Sequence, residues 1–141
     1  MQKQDDSHLY PHNRQPAVRI VAMPADTNPT GHIFGGWIMA QMDIAGGLVA
    51  AERASGRVAT VAVTSMEFHR PVYVGDIVSC FAEIEKVGNT SITVKVEVFA
   101  QRRRNQRIEY VKVTEAVIVY VALYEDGELR TVPATGVDSD M

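Results

Sequence analysis

One stretch limits what the whole chain can become. From Ile33 to Ala51 the side chains are apolar or absent, apart from Gln41 and Asp43. A carboxylate among such neighbours costs free energy unless something pairs with it or uses it, so Asp43 is the first candidate for chemistry. A turn-rich segment, Asp26-Thr27-Asn28-Pro29-Thr30-Gly31-His32, precedes the run, and the pair Gly35-Gly36 opens it. The pattern predicts a helix from about residues 34–36 to 53–56, apolar on most sides and therefore buried. Gly46 and Gly47 lie three and four residues after Asp43, on its own face of the helix. Each glycine costs about 1 kcal/mol of helix propensity against alanine, and the pair leaves room for a backbone or a ligand beside the carboxylate. The run is nearly long enough for a membrane span. A central charge costs about 2.5–3.5 kcal/mol on insertion scales, and the glycines dilute the hydrophobicity further, so the expectation is no membrane span.

Strands surround this helix in the sequence. Ala17–Met23 reads as a first strand, and Pro24–His32 as a loop. Val58–Phe68 is apolar on both faces, the pattern of a central strand. Ile77–Val87 sets Val78, Cys80, Ala82 and Ile84 against Ser79, Glu83 and Glu85. Ile92–Val98 alternates throughout, after a Gly88-Asn89 hairpin turn. Arg102–Arg107 reads as a second hairpin tip leading to a long strand from about Tyr110 to Tyr124. The fold class expected is α+β, one long helix embraced by a curled antiparallel sheet of about five strands. Such a sheet leaves edges open; pairing with a second copy closes them, which predicts a dimer.

Hydrophobic content of 46% and charged content of 22% are ordinary globular values. They fit one domain over residues 16–133, with tails over 1–15 and 134–141. A net charge of −3 presents no basic field to nucleic acid. The single Cys80 forms no internal disulfide, and its strand context predicts a buried, reduced thiol. Residues 1–15 are polar and lack an apolar signal core, so a cytoplasmic protein is expected. His8 and His12 in that segment have no accompanying ligand constellation and read as tail residues.

The residues from Asp26 to Asp43 follow the pattern D-T-N-x-x-G-x-I-F-G-G-W-x-M-x-x-M-D. That stretch resembles the acyl-CoA thioesterases of the hotdog fold, in particular their YciA-like subgroup. Phe68-His69-Arg70-Pro71-Val72 with Gly75-Asp76 is similar to a second signature of that family, and Lys112–Ala116 to one in its last strand. The resemblance covers about residues 18–133. It implies hydrolysis of acyl-CoA to CoA and a free acid, without metal or organic cofactor. It also implies an active site at a homodimer interface, often within a trimer of dimers.

By this resemblance Asp43 is the catalytic carboxylate, acting as general base on a water or as nucleophile through an anhydride. Gly35 and Gly36 stand where helix amides have no internal partner and carry the positive dipole end, which suits an oxyanion. Asn28 matches a residue that polarises the carbonyl or holds the water, although an Asn before Pro also caps turns. Thr60 is a weaker candidate on the wall of the site. Arg70 and the turn residues Asn89, Thr90 and Ser91 are candidates for CoA contacts. Arg102–Arg104 and Arg107 read first as a solvated hairpin tip and second as a phosphate site. His32 raises a dehydratase alternative, but the prolines that follow the histidine in that family are absent here; His69 reads as structural. The alternative from another class is a non-catalytic acyl-CoA or nucleotide-binding module.

Overall fold

The computed structural model describes residues 5–134. Its elements are β1 (Val18–Val21), a 3-10 turn (Pro24–Asp26), α1 (Gly35–Ala54), β2 (Val58–Phe68), β3 (Ile77–Val87), β4 (Ser91–Arg104) and β5 (Arg107–Ala122). The strands form one antiparallel sheet in the order β1-β3-β4-β5-β2. This is the expected α+β architecture, one helix against a curled five-stranded sheet.

The alternation of β4 places Ile92, Val94, Val96 and Val98 on the helix side, all fully buried. They meet Ile38, Met42, Ala45 and Ala50 of α1 in one core cluster. The hairpin between β4 and β5 closes through Asn105 and Gln106, at φ 52° and 63°. Two successive left-handed residues match the twist of a two-residue hairpin.

Helix α1 ends where Ser55 turns left-handed, at φ 57° and ψ 42°. Arg130 Nη1 donates to the Ala54 carbonyl at 2.8 Å, supplying a cation where the helix dipole is negative.

Five expectations change. The helix is not buried all round: Phe34, Met39, Ile44 and Leu48 keep between 43% and 55% of their surface exposed. Strand β2 is not central but lies at one edge of the sheet, with Val61 57% exposed. An edge strand and a helix face that are exposed in the single chain carry the same apolar pattern as buried ones, because periodicity records apolar spacing and not where the residues end up.

The segment expected as a tail over residues 1–15 packs, from Asp5 onward, against the outer sheet face. Asp6 N–H donates to the Tyr110 carbonyl at 2.6 Å, and Tyr10 sits edge-on to both Phe81 and Phe99 at 5.3 Å. This strap also explains why Ser79, expected outward, is buried: the Tyr10 hydroxyl covers it at 3.5 Å. Residues 1–4 and 135–141, where the remaining tail expectations fall, lie outside the described residues.

Arg102, finally, is not a solvated tip residue. It lies in β4 and binds the buried Asp76 carboxylate at 2.7 Å.

Candidate active site

Asp43 projects from the open face of α1 and is exposed in the single chain, against the expectation of burial. Its carboxylate is nevertheless held. Thr60 Oγ1, from β2, donates to Oδ1 at 2.6 Å. The Tyr120 hydroxyl, from β5, stands 3.1 Å from the same Oδ1 and 3.0 Å from the Asp43 backbone carbonyl. Both side-chain donors converge on Oδ1 and neither uses Oδ2, so one oxygen is anchored and the other is left to further partners. Burial first, then the Asp43 charge beside it, push the Tyr120 phenol well above its ordinary range. The phenol therefore stays protonated and a donor.

Tyr120 was absent from the sequence-based candidates. A signal for it existed in the glycine pair beside Asp43. A Cβ on Gly46 would collide with the Tyr120 hydroxyl, and one on Gly47 would touch its ring at 3.7 Å. The space those glycines leave is thus filled by an aromatic side chain of the last strand.

A second group of candidates gathers at the helix N-terminus. An open pocket of about 290 Å³ is lined by Asn28, His32, Gly35, Phe68, His69 and Arg70, among others. Asn28 organises its own loop: Oδ1 accepts from Thr30 N–H at 3.0 Å, Thr30 Oγ1 at 2.8 Å and His32 N–H at 3.0 Å. Those contacts leave Nδ2, its donor, unused. The turn-capping and site-facing readings of Asn28 are therefore compatible. Helix α1 has no side-chain cap at Phe34, and a Cβ at Gly36 would meet nothing within 4 Å. The helix start beside Gly36 thus borders unfilled space. Arg70 reaches to 3.8 Å from Asp6 of the N-terminal strap.

Two candidates thus meet at Asp43 and three more around the pocket, but the groups are apart within one chain. Asp43 follows Gly36 by seven residues, two turns and about 10 Å along the same helix face. Asn89, Thr90 and Ser91 are farther still. Their turn pairs with Ala122, whereas the pocket end of the sheet is at Thr114, beside Phe68. Those β5 positions are about 26 Å apart at the usual strand rise. Among the described residues no group of three or more His, Cys, Asp or Glu side chains converges on a point, and no helix is long and apolar enough to cross a membrane.

Comparison with known proteins decides the family. The profile of the Thioesterase superfamily matches residues 30–106. The acyl-CoA thioester hydrolase YciA of Salmonella typhimurium is 50% identical over 120 residues, covering 84% of this chain and 90% of that protein. The chain belongs to the hotdog-fold acyl-CoA thioesterases. Solved thioesterases share its architecture. A hexameric hotdog fold thioesterase of Campylobacter jejuni superposes with a TM-score of 0.83 at 45% identity, covering 85% of this chain and 91% of that one. A hexameric broad specificity acyl-coenzyme A thioesterase gives 0.82 at 46%, with coverage of 92% and 88%. This thioesterase is accordingly an acyl-CoA thioester hydrolase.

Proposed function

We propose that hydrolysis takes place between two copies of the chain, with Asp43 of one copy facing the Gly36 amide of the other. The observation that carries this is the spacing inside one chain. A base or nucleophile and an oxyanion donor must both lie about 3 Å from the same reacting group, and two helical turns separate them by about 10 Å. A twofold axis beside the open face of α1 would run the two helices antiparallel and bring each Asp43 toward the opposite helix start. The exposed apolar side chains of that face, Ile44 and Leu48, support such packing. Covering the exposed half of each contributes about 1 kcal/mol. The open edge of β2 supports a continuous sheet across the pair. Hexameric relatives favour a trimer of such dimers.

In this reading the thioester carbonyl oxygen accepts from the Gly36 amide, with Gly35 allowing close approach. Asn28 Nδ2 holds the attacking water or the carbonyl. Asp43 Oδ2 takes a proton from that water, whose oxygen adds to the carbonyl as the C–S bond breaks and CoA leaves. Alternatively Oδ2 itself adds, CoA leaves, and water then hydrolyses the anhydride. Oδ1, fixed by Thr60 and Tyr120, sets the direction of Oδ2. Arg70, which lines the pocket and also reaches Asp6 at 3.8 Å, offers a cation to a CoA phosphate; Asn89, Thr90 and Ser91 would meet CoA only from a second copy. The acyl chain lies in the apolar seam between α1 and that copy. No residue in this scheme calls for a metal or an organic cofactor, and the cytoplasm, where acyl-CoA is made and used, is the compartment it suits.

Thiol release from acyl-CoAs of several chain lengths, wild type beside Asp43→Asn, tests the scheme. Loss of about 10²–10⁴-fold in kcat, with CoA still bound, is the expected result. Full turnover by Asp43→Asn would remove the carboxylate from the chemistry.

A further inference from the structure

Asp76 is only 3% exposed, and its carboxylate is saturated by donors from two directions. Arg102 grips it with both arms, Nε to Oδ1 at 3.1 Å and Nη2 to Oδ2 at 2.7 Å. The Tyr73 backbone N–H donates to Oδ2 at 2.9 Å. The guanidinium so fixed lies over the Tyr73 ring, 4.9 Å from its centroid. On that ring, in turn, rests the imidazole of His32, edge to face at 5.3 Å and 75°. His32 closes the Asn28 loop from both sides of its own peptide: its N–H reaches Asn28 Oδ1 at 3.0 Å, and its carbonyl accepts from Asn28 N–H at 2.6 Å. An unbroken line of contacts therefore runs from a buried ion pair in the sheet to the residue lining the pocket.

We propose that Tyr73, held by the Asp76-clamped Arg102 on one side and His32 on the other, is a positioning residue that keeps Asn28 in place. The chemistry of each link supports this. A bidentate arginine keeps its plane parallel to an aromatic face, as the point charge of a lysine does not. The stacked cation and the edge-on imidazole both orient Tyr73 rather than merely surround it. The Asn28 loop needs such support because it is exposed and contains Gly31 at φ 92°, and its side-chain cap is internal to the loop. Tyr73 itself is 40% exposed and outside the core, so its ring has little part in keeping the chain folded.

This inference rests on the proposed placement of Asn28 in the reaction, and the test separates the two. Turnover on one acyl-CoA would be measured for Tyr73→Leu and Tyr73→Phe in the wild type and in Asn28→Asp, which retains the acceptor oxygen for the loop but deletes the Nδ2 donor. Tyr73→Leu should lower kcat about ten-fold with KM and melting temperature close to wild type, and Tyr73→Phe should restore the rate. In the Asn28→Asp background the leucine variant should cost less than about two-fold, since the residue it serves is already disabled. Equal losses in both backgrounds, or no loss in either, would overturn the positioning role and leave the proposed site intact. A wild-type rate for Asn28→Asp alone would overturn both.

Discussion

The Tyr120 hydroxyl lies 3.0 Å from the backbone carbonyl of Asp43 and 3.1 Å from the Oδ1 of its carboxylate, so one phenol from the last strand ties both ends of the candidate catalytic residue to the sheet. The contact exists because Gly46 has no Cβ at the point where the phenol passes the helix. A phenol that holds the carboxylate is thereby joined to a glycine that leaves it space.

Tyr120→Phe tests the aim. The ring still fills its cavity and only the donor is lost. Loss of the donor that fixes the carboxylate should lower kcat about ten-fold or more. Loss of a hydrogen bond to a charged group, about 1.5–3 kcal/mol of stability, should lower the melting temperature by several degrees. Thiol-release kinetics and a thermal melt decide it; an unaltered kcat would limit the phenol to packing.

Gly46→Ala tests the space. A methyl group there must displace the Tyr120 hydroxyl, and overpacking of this kind costs about 1–3 kcal/mol. Denaturant unfolding should show that loss. Gly36→Ala meets nothing in the chain and should unfold like wild type, yet lose activity if substrate occupies that space.

Complementation tests the shared site. Gly36→Pro deletes one N–H in the first helical turn, where proline is tolerated and the amide has no internal partner. Homo-oligomers of Gly36→Pro and of Asp43→Asn should both be inactive. Co-expressed, they should regain activity, because a mixed pair contains one site with both an intact Asp43 and an intact Gly36. Inactive mixed oligomers of normal size would show that each chain works alone.

The apolar edge has its own test. Val61→Lys on β2 places a charge on an exposed edge-strand residue. Sedimentation should show smaller particles, and turnover should vanish with the assembly. Native-sized, active oligomers would move the interface elsewhere.

Cys80 provides a pH test. It is fully buried on β3, and burial raises its thiol from 9.0 to about 12. The folded state thus holds the proton more tightly than the unfolded chain. The resulting stabilisation is complete below pH 9 and is lost as pH rises toward 12. At pH 8 a thiol reagent should label Cys80 only after denaturant is added; rapid labelling of the native protein would contradict its burial.

What the sequence determined by itself was local. The alternation of Ile92, Val94, Val96 and Val98, the apolar run after Gly35-Gly36, interrupted only by Gln41 and Asp43, and the hairpin tip within Arg102–Arg107 announced a helix and antiparallel strands, since the periods of 3.6 and 2 are properties of adjacent residues. Asp43 stood out by the same logic, as the acidic residue in a run with no other charge. Only the tertiary structure decided where these pieces lie. The strap at Tyr10 gave no period because isolated contacts anchor it, at Asp6 and at the Tyr10 ring, not a repeating face. β2 looked central and is an edge, because apolar patterning cannot distinguish a buried strand from an exposed apolar edge. Tyr120 joins Asp43 across 77 residues, and Asp76 joins Arg102 across 26. Such contacts depend on strand order and register, which arise from the folding of the whole sheet and are written in no single stretch of chain.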